Sequence, residues 1–308
     1  MRTSFIETLC DVAARDERVW LLTADLGYSV LEVFRDRFPD RYVNVGVAEQ
    51  NMAGIAAGLA RCGKIPYLYS IANFPTFRCL EQIRVDICYH EVNVKIVAVG
   101  GGFSYGAQGY THHGIEDIAV MRSLPGMTVV APGDPWETRG ATDAIARVEG
   151  PCYLRLGKAK EPVVHAEKPK FELGKALQLR DGRDLTLIST GAMLQETVRA
   201  ADRLAAEGLS VRVLSMHTVK PIDQEAVLAA AKETGGIVSV EEHSIVGGLG
   251  SAVADVLAES GRAFGFFRKF GVPDEIRHHV GSQEYLRKRC GDLYELARNC
   301  VRVRRAAA

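Results

Sequence analysis

The 308-residue sequence lacks a long apolar run, since no stretch approaches the roughly 18 consecutive apolar residues of a bilayer-spanning helix. Its N-terminal segment contains neither a long apolar core nor a small-residue cleavage site, so we expect no secretory signal peptide. Lys and Arg together number 38, as do Asp and Glu, so no net charge attracts nucleic acid or an anionic membrane. We therefore expect neither a membrane nor nucleic acid among the partners of this protein.

Cysteine is scarce, and its pattern predicts no cross-links. The chain contains seven cysteines, an odd number, and none lies in a Cys-x-x-Cys spacing. Scattered cysteines of this kind argue against a disulfide framework and against a zinc site. They indicate a reducing compartment, and together with the missing signal peptide they predict a cytoplasmic protein.

What is present is the composition of a folded globular protein. Hydrophobic residues make up 47% of the chain and charged residues 25%, a balance typical of a globular protein with a sizeable core. Short β-branched runs alternate with amphipathic stretches, which predicts an α/β fold with mainly parallel sheets. A Lys- and Pro-rich stretch interrupts this pattern, and then the pattern restarts. We predict two doubly wound domains, at 1–157 and 172–308, joined by a linker at 158–171.

The clearest elements can be placed by residue. Predicted strands lie near Val19–Leu22, Tyr42–Val45, Ile65–Tyr69, Val94–Val99, Thr128–Val130 and Cys152–Leu156, and after the linker near Leu185–Thr190, Val211–Met216 and Gly236–Glu242. Predicted helices cover Ala48–Arg61, Leu80–Tyr89, Pro135–Arg147, Leu194–Glu207 and Leu249–Glu259. Asp134 is the expected N-cap of the third of these helices, with Pro135 at its first position.

The segment from Val43 to Ala60 carries the most information. In VNVGVAEQNMAGIAAGLA a strand ends, Gly46 forms a turn, and a helix of small residues begins with Glu49 in its first turn. A carboxylate there has an ordinary explanation, because the helix dipole favours negative charge at an N-terminus. The alternative is a functional carboxyl group, and the residues alone leave both interpretations open.

Aromatic residues cluster after the third predicted strand. Tyr69, Phe74 and Phe77 lie at its C-terminal end, where doubly wound folds place ligands. The same residues also suit an aromatic patch packed in the core, so both interpretations remain open here too.

A glycine-rich loop, GGGFSYGAQGYTHHG, follows the fourth predicted strand. Glycines permit tight turns and close approach of the backbone to a ligand. No helix opens directly after the glycines and no Lys-Ser or Lys-Thr follows them, which argues against a P-loop or a dinucleotide fingerprint. His112 and His113 are adjacent, so their side chains diverge, and no other ligand is spaced to complete a metal site. We predict no metal site in this chain.

These segments together resemble the transketolase family. GVAEQNMAGIAAGLA is similar to the pyrimidine-domain motif of transketolases and deoxyxylulose-phosphate synthases, and VEEHSIVGGLGSAVADVLAE resembles the transketolase C-terminal domain. The resemblance covers nearly the whole chain and implies thiamine diphosphate as cofactor. It also implies a catalytic, cofactor-binding role for Glu49, which donates a hydrogen bond to the aminopyrimidine ring of the cofactor. Such a Glu is expected to be buried and protonated.

The resemblance implies roles for further residues near the cofactor. Phe74 is expected to stack on the aminopyrimidine, with Tyr69 and Phe77 as its neighbours. Asp25, in a segment similar to the first loop of the family, is expected to lie near the cofactor. Ile71 stands where many relatives have Phe, so one wall of the pocket differs.

A substrate site is implied by the same resemblance. The glycine-rich loop is similar to the Gly-x-Asp-Gly-x-Thr-His-Gln loop of the family, in which His112 is expected to be catalytic and to bind substrate. Gln108 stands where the family has Asp and His113 where it has Gln, and both are expected to contact substrate. Ser29 and Arg155 are expected to hold a substrate phosphate. Alternatively, Arg155 pairs with a carboxylate at the domain border.

Two departures from the family pattern bear on the substrate. Gln108 replaces an acid that discriminates hydroxyl stereochemistry, and Gly100 lies near the position of another substrate-contacting His in full transketolases. They suggest a carbon skeleton other than an ordinary pentose or hexose phosphate, such as a nucleotide-linked or keto sugar as acceptor.

The resemblance includes only the last two of the three domains of a full transketolase. The missing domain holds the cofactor diphosphate through a divalent metal with a Gly-Asp-Gly motif, whereas here Gly133 and Asp134 are followed by Pro135. The resemblance therefore implies an N-terminal transketolase subunit that holds Mg²⁺ or Ca²⁺. It also implies an α2β2 heterotetramer, and a chain that is inactive alone.

The implied activity is transfer of a two-carbon ketol unit from a ketose, expected to be phosphorylated, to an aldehyde acceptor. One alternative is the β subunit of a 2-oxoacid dehydrogenase complex, which has the same size and domain pair. AEQNMAGIAAGLA and the pair Thr111 and His112 favour the transketolase branch. The other alternative is a catalytically silent homologue, against which the intact Glu49 argues.

Overall fold

Strands and helices alternate throughout the computed structural model, which describes residues 1–159 and 161–307. The strands are β1 (Val19–Thr23), β2 (Tyr42–Asn44), β3 (Ile65–Ile71), β4 (Lys95–Val99), β5 (Thr128–Val130), β6 (Cys152–Leu156), β7 (Leu177–Arg180), β8 (Leu185–Ser189), β9 (Val211–Ser215), β10 (Thr218–Lys220), β11 (Ile237–Ser244) and β12 (Phe267–Val272). The helices are α1 (Arg2–Arg15), α2 (Glu32–Arg37), α3 (Glu49–Arg61), α4 (Leu80–Gln82), α5 (Asp117–Ser123), α6 (Pro135–Ile145), α7 (Leu194–Ala206), α8 (Gln224–Glu233), α9 (Leu249–Glu259), α10 (Gln283–Lys288) and α11 (Leu293–Ala307). Helix α4 continues directly into a π-helix, Ile83–Tyr89.

The first sheet has seven strands in the order β10-β5-β6-β4-β3-β1-β2. Its six strands from the first part of the chain are parallel, and their carboxyl ends therefore meet at one edge. Strand β10 pairs antiparallel with β5 although it follows the linker in sequence. The second sheet has the order β12-β11-β8-β9-β7, with only β7 antiparallel. The predicted α/β fold with mainly parallel sheets is confirmed.

Burial explains why the first sheet sits between two layers of helices. Successive residues of a strand point to opposite faces, and in β3 both sets are buried. Leu68 packs with Met52 on the face that α3 covers, whereas Tyr67 and Tyr69 pack with Phe5 of α1 on the other face. Residues that face helices on both sides read as a continuous apolar run, as a parallel strand requires.

The element predictions from sequence are confirmed to within one or two residues for the nine strands named above. Asp134 caps α6, since its carboxylate accepts the Glu137 N–H at 2.8 Å. Three strands were missed: β7, β10 and β12. Strand β10 has only three residues, and its place in the first sheet depends on β5, which lies far away in sequence.

The predicted linker is tied to the first sheet domain by polar contacts. The backbone N–H groups of Val164 and His165 both donate to the second oxygen of Asp134, at 3.0 and 3.1 Å. Further along, the Phe171 ring stacks on His217, with ring centroids 3.9 Å apart. These contacts attach the linker to Asp134, which precedes it in the chain, and to His217, which follows it.

The structure also bears on a membrane location. Within residues 1–159 and 161–307, no helix has the length and apolar character required to span a bilayer.

Candidate active site

Four segments meet at the carboxyl edge of the first sheet. They follow β1, β2, β3 and β4, and they carry Asp25, Glu49, Phe74 and His112, respectively. Ligands of doubly wound sheets bind outside the carboxyl ends of the strands. The structure therefore brings most of the predicted site residues to one edge.

Glu49 is the first residue of α3, and a tight turn places it there. Gly46 has φ +72°, a conformation that glycine adopts without strain, and its carbonyl accepts the Ala48 N–H at 2.8 Å. The Asn44 side chain accepts the Gly46 N–H at 3.0 Å and so fixes the end of β2. The Glu49 side chain is only 4% exposed, at the wall of an open pocket of about 620 Å³. The carboxyl group is thus buried, as the resemblance implied.

Arg78 is the partner of Glu49, and sequence analysis did not identify it. Its Nη1 lies 3.2 Å from both Glu49 carboxylate oxygens. The guanidinium carbon also lies 3.9 Å from the centroid of the Phe74 ring. The carboxylate and the aromatic face therefore hold a planar group with N–H donors between them. In the sequence, Arg78 lies four residues after Phe74 and begins the stretch RCLEQIR, which is similar to a helix of the family.

His112 lies on the other side of Phe74. The two rings meet edge to face, with centroids 5.2 Å apart. Nδ1 of His112 lies 2.9 Å from the Thr111 hydroxyl, and Asn73 donates to the Thr111 carbonyl at 3.1 Å. Burial lowers the pKa of His112, and the positive charge of Arg78 lowers it further. His112 is therefore neutral at pH 7 and able to accept a proton.

Tyr105 and Lys158 extend this row of contacts. The Tyr105 and His112 ring centroids are 6.2 Å apart, and Lys158 Nζ lies 4.5 Å over the Tyr105 ring. Lys158 is exposed and follows β6 by two residues. We call the row of Glu49, Arg78, Phe74, His112, Tyr105 and Lys158 the contact chain. It joins a buried carboxyl group to an exposed cation.

Asp25 and Ser29 border the same edge in a constrained loop. Both have positive φ, +52° and +61°, which costs energy for residues other than glycine. Asn44 donates to the Asp25 carboxylate at 3.0 Å and accepts the Asp25 N–H at 3.0 Å. The Ser29 N–H donates to Glu32 at 2.8 Å. Both side chains are exposed and can meet a ligand.

Arg155 lies in the interior instead. Its side chain is 4% exposed, and its Nε donates to Asp117 at 2.8 Å. Its Nη2 donates to the carbonyls of Gly114 and Glu242, the second at 3.0 Å. The donors Nε and Nη2 are thus used in contacts within the protein. The alternative interpretation, in which Arg155 pairs with a carboxylate at the domain border, describes this geometry. We therefore leave Arg155 out of the substrate site. No local sequence pattern predicts Asp117 as the partner of Arg155, because 38 residues separate the two.

The remaining predicted residues divide into buried and exposed sets. Tyr69 is buried in the core against Phe5 at a ring distance of 6.0 Å, as in the alternative interpretation of an aromatic core. His113 is also fully buried, with Nε2 3.2 Å from the Gly106 carbonyl, so it supports its loop from inside. Phe77 and Gln108 are exposed; Phe77 precedes Arg78 in the chain, and Gln108 lies in the same loop as His112. Of these four residues, we keep Phe77 and Gln108 as contacts for a ligand.

The residues present fit half of a thiamine diphosphate site. A buried carboxyl group beside an aromatic face suits the aminopyrimidine ring, because Glu49 and Phe74 already hold the planar guanidinium of Arg78. For the diphosphate the fit fails within residues 1–159 and 161–307, where no three His, Cys, Asp or Glu side chains could hold a metal ion. Glu49 and Phe74 thus suit the aminopyrimidine, whereas residues 1–159 and 161–307 contain no group of side chains that could hold a metal for the diphosphate.

Comparison with known families matches both parts of the chain. The transketolase pyrimidine binding domain matches residues 1–162, and the transketolase C-terminal domain matches residues 174–289. The chain belongs to the transketolase family. The α/β fold and the position of Glu49 agree with this membership.

Transketolase subunits encoded as separate chains are among the similar proteins. The 6-deoxy-6-sulfo-D-fructose transketolase subunit SqwH of Clostridium sp. is 40% identical over 94% of this chain and 90% of its own. An apulose-4-phosphate transketolase subunit of Phocaeicola vulgatus is 42% identical over 92% and 90%, respectively. The 1-deoxy-D-xylulose-5-phosphate synthase of Heliobacterium modesticaldum is 36% identical, but the match spans only 46% of it. This transketolase chain therefore corresponds to one subunit of a split enzyme.

Solved structures agree with this assignment. A split-gene transketolase described as an inactive β4 tetramer has a TM-score of 0.89, with 38% identity, over 98% of this chain and 96% of its own. A transketolase from Leishmania mexicana has a TM-score of 0.79 at 24% identity, and 45% of it is covered. The second likeness shows the fold alone.

Proposed function

We propose that this chain supplies the pyrimidine half of a thiamine diphosphate site in a split transketolase, which transfers a two-carbon ketol unit from a ketose to an aldehyde. The observation that supports this best is the buried Glu49 beside the Phe74 ring at the carboxyl edge of the first sheet. The alternative of a 2-oxoacid dehydrogenase subunit is not favoured, because the similar separate chains are transketolase subunits.

Glu49 and Phe74 bind the aminopyrimidine ring in this proposal. Thiamine diphosphate, when bound, would supply the nucleophilic carbon that ketol transfer requires. Glu49 holds a proton towards a ring nitrogen, and Phe74 offers its face to the ring. Arg78 now occupies both side chains, so it must share or release Glu49 when the ring arrives. Asp25 and Phe77 border the cofactor from neighbouring segments.

Substrate binds along the rest of the contact chain. His112 takes or returns a proton at a substrate hydroxyl, which its neutral state at pH 7 permits. Lys158, an exposed cation at the far end, holds the anionic end of the substrate together with Ser29. Gln108 contacts a substrate hydroxyl from the same loop as His112.

The proposed substrate is a ketose with an anionic group but without the usual pentose phosphate pattern. The neutral Gln108 in the loop supports this, because an amide discriminates hydroxyl groups differently from a carboxylate. Two similar chains are named for 6-deoxy-6-sulfo-D-fructose and apulose-4-phosphate, which are both anionic sugars outside that pattern. A panel in which ordinary pentose phosphates were the best substrates would count against it.

We also propose the assembly and its setting. An N-terminal transketolase subunit holds Mg²⁺ or Ca²⁺ with the diphosphate, and two copies of each chain form an α2β2 heterotetramer. The domains divide at the linker, as 1–157 and 172–308. All seven cysteines are free in the structure, which suits the reducing cytoplasm proposed as location.

Calorimetric titration of thiamine diphosphate with Mg²⁺ tests the proposal, using the chain alone and the chain co-purified with its N-terminal partner. We expect binding to the pair only, and a loss of turnover of about 100-fold or more in Glu49→Gln, because the amide cannot take part in proton transfer. Glu81→Gln, at an exposed carboxylate, is the matched control. Tight metal-dependent binding to this chain alone would overturn the split site, and an inactive wild-type pair would support a silent homologue.

A further inference from the structure

The loop that carries His112 is closed at its base by a pair of backbone hydrogen bonds. The Gly102 N–H donates to the Gly114 carbonyl at 2.7 Å, and the Gly114 N–H donates to the Gly102 carbonyl at 3.0 Å. We call residues 101–114 the substrate loop. Because the base is closed, the shape of the loop depends on what its interior rests on.

The substrate loop rests on the C-terminal part of the chain. Phe103 in the loop and Ile115 just after it are buried against Val272 of β12 and Leu286 of α10. These four side chains form a small apolar cluster between the two sheet domains. The apolar side chains that bury the interior of the loop therefore belong to the second domain.

A buried polar group lies beside this apolar cluster. Glu242 of β11 is only 3% exposed, and its carboxylate accepts Arg287 Nε at 2.9 Å and Nη2 at 2.8 Å. The Gln283 side-chain amide donates to the same carboxylate at 2.9 Å and lies 3.4 Å from the Ser104 hydroxyl of the loop. We call Glu242, Gln283 and Arg287 the clasp. Such a two-point guanidinium–carboxylate pair fixes direction as well as distance.

The loop fits against the clasp without spare room. A Cβ atom added to Gly102 would lie 2.5 Å from the Glu242 side chain. A Cβ atom added to Gly106 would lie 2.5 Å from the Gly281 carbonyl oxygen, and the Gly281 N–H donates to the Gly106 carbonyl at 3.2 Å. The glycines of the substrate loop thus allow its backbone to touch the second domain directly.

From these contacts we infer that the clasp positions the substrate loop, so that Glu242 and Arg287 set the place of His112 and Gln108 from the second domain without touching substrate. The C-terminal domain then has a share in substrate recognition. The words "substrate loop" rest on the proposed function, but the positioning is a property of this chain alone. Glu242, Gln283 and Arg287 are positioning residues, because they act through the loop.

Hydrogen–deuterium exchange on the isolated chain tests the positioning directly. Arg287→Met removes the two-point contact to Glu242 and keeps most of the side-chain volume. We expect the amides of residues 101–114 to exchange about tenfold faster, because the local opening of the loop becomes less costly. Arg212→Met is the matched control, since Arg212 is also largely buried and paired, with Asp181 and Glu233, but lies away from the loop. Equal exchange of the loop in the two variants would overturn the inference.

Kinetics of the reconstituted pair provide a second readout. Arg287→Met should raise the KM for the ketose about tenfold, since misplaced contacts weaken substrate positioning, and leave thiamine diphosphate affinity within about twofold. Arg287→Lys should have a KM between those of wild type and Arg287→Met, because the lysine keeps a positive charge near Glu242. Parallel losses of cofactor and substrate binding would mean that the clasp supports only the fold, and would overturn the inference. An inactive wild-type pair would instead count against the proposed function, while the exchange experiment would still decide the role of the clasp.

Discussion

The residues of the contact chain differ in exposure, from a buried end at Glu49 to an exposed end at Lys158. Glu49 is 4% exposed, whereas Arg78, its partner, is 49% exposed. The pair is therefore open to solvent on one side and can exchange partners when a ligand arrives. His112 lies between the two ends, with its pKa lowered by burial and by Arg78.

The pH dependence of turnover tests the role of His112. Because its pKa lies below the ordinary value of 6.5, the neutral form persists to more acidic pH. We expect kcat/KM to stay level near pH 7 and to fall as the pH drops through a value below 6.5. His112→Asn should lower the rate by about 100-fold or more and remove this acidic limb.

His90→Asn serves as the control for that profile, since His90 is exposed and lies in a different part of the chain. The assignment fails if the acidic limb persists unchanged in His112→Asn.

The KM of a Lys158 variant and its dependence on salt test whether Lys158 binds the anionic end of the substrate. Lys158→Gln should raise the KM for a ketose phosphate or sulfonate about tenfold, with little change in kcat, because it removes a cation from the anionic end. The difference from wild type should shrink at high salt, since exposed charges are screened. Lys168→Gln, at an exposed position of the linker, is the control. An unchanged KM would remove Lys158 from the site.

Among the elements, the substrate loop makes close contacts with the second domain. Two of its contacts cross from the first sheet domain to α10 or to the turn before it. The loop has little regular structure of its own, apart from short 3₁₀ turns at Gly106–Gln108 and Tyr110–His112. Its stability therefore comes from the surface on which it rests.

Thermal unfolding of Gly106→Ala tests this dependence. The new methyl group meets the Gly281 carbonyl oxygen, which is backbone and yields poorly. We expect the free energy of unfolding to fall by about 1–3 kcal/mol, as for overpacking elsewhere. Gly58→Ala, where nothing lies within 4 Å of the added atom, should leave stability equal or higher. Equal melting temperatures for the two variants would contradict the close contact.

For the whole molecule, the border between the domains contains two fully buried ionisable groups with large pKa shifts, Glu241 and His243. Burial lowers the pKa of His243 to about 4 and raises that of Glu241 to about 7. His243 Nδ1 donates to the Ser244 carbonyl at 2.8 Å and its Nε2 accepts the Ala119 N–H at 3.2 Å, which requires the neutral ring. Glu241 accepts the Leu249 N–H at 2.6 Å, at the start of α9.

These two shifts offset each other in the pH dependence of stability. Between pH 4.5 and 6.5 the unfolded chain carries a proton on His243 and none on Glu241, and the folded chain the reverse. The numbers of bound protons are equal, so the pair contributes no slope in this window. A variant without the titrating Glu241 carboxyl group should therefore show the pH dependence of the free energy of unfolding that is due to His243 alone.

Urea unfolding of Glu241→Gln at several pH values measures that slope. The unfolded variant binds one proton more than the folded variant, so the free energy of unfolding should fall by about 1 kcal/mol per pH unit as the pH drops below 6.5. Asp117 and Arg155 face the same region in both proteins, so their contribution cancels. Glu284→Gln, at an exposed carboxylate paired with Lys288, is the control. Parallel curves for wild type and Glu241→Gln would refute the offset.

Local patterns in the amino-acid sequence determined a large part of this protein. The strand, the turn at Gly46 and the helix beginning at Glu49 follow from periodicity and glycine, which act over a few residues. The same is true of Phe74, because it closely follows a buried strand. The family motifs are local as well, and they predicted the pyrimidine half of the proposed site.

Tertiary structure alone decided which polar side chains are exposed at the edge of the sheet and which face protein. The sequence left Arg155 either at a substrate phosphate or paired with a carboxylate at the domain border, because its partners Asp117 and Glu242 lie 38 and 87 residues away. Lys158, three residues later, is exposed and lies over the Tyr105 ring. The clasp on the substrate loop likewise joins residues that only folding brings together. Burial depends on contacts between distant segments, and no local pattern records them.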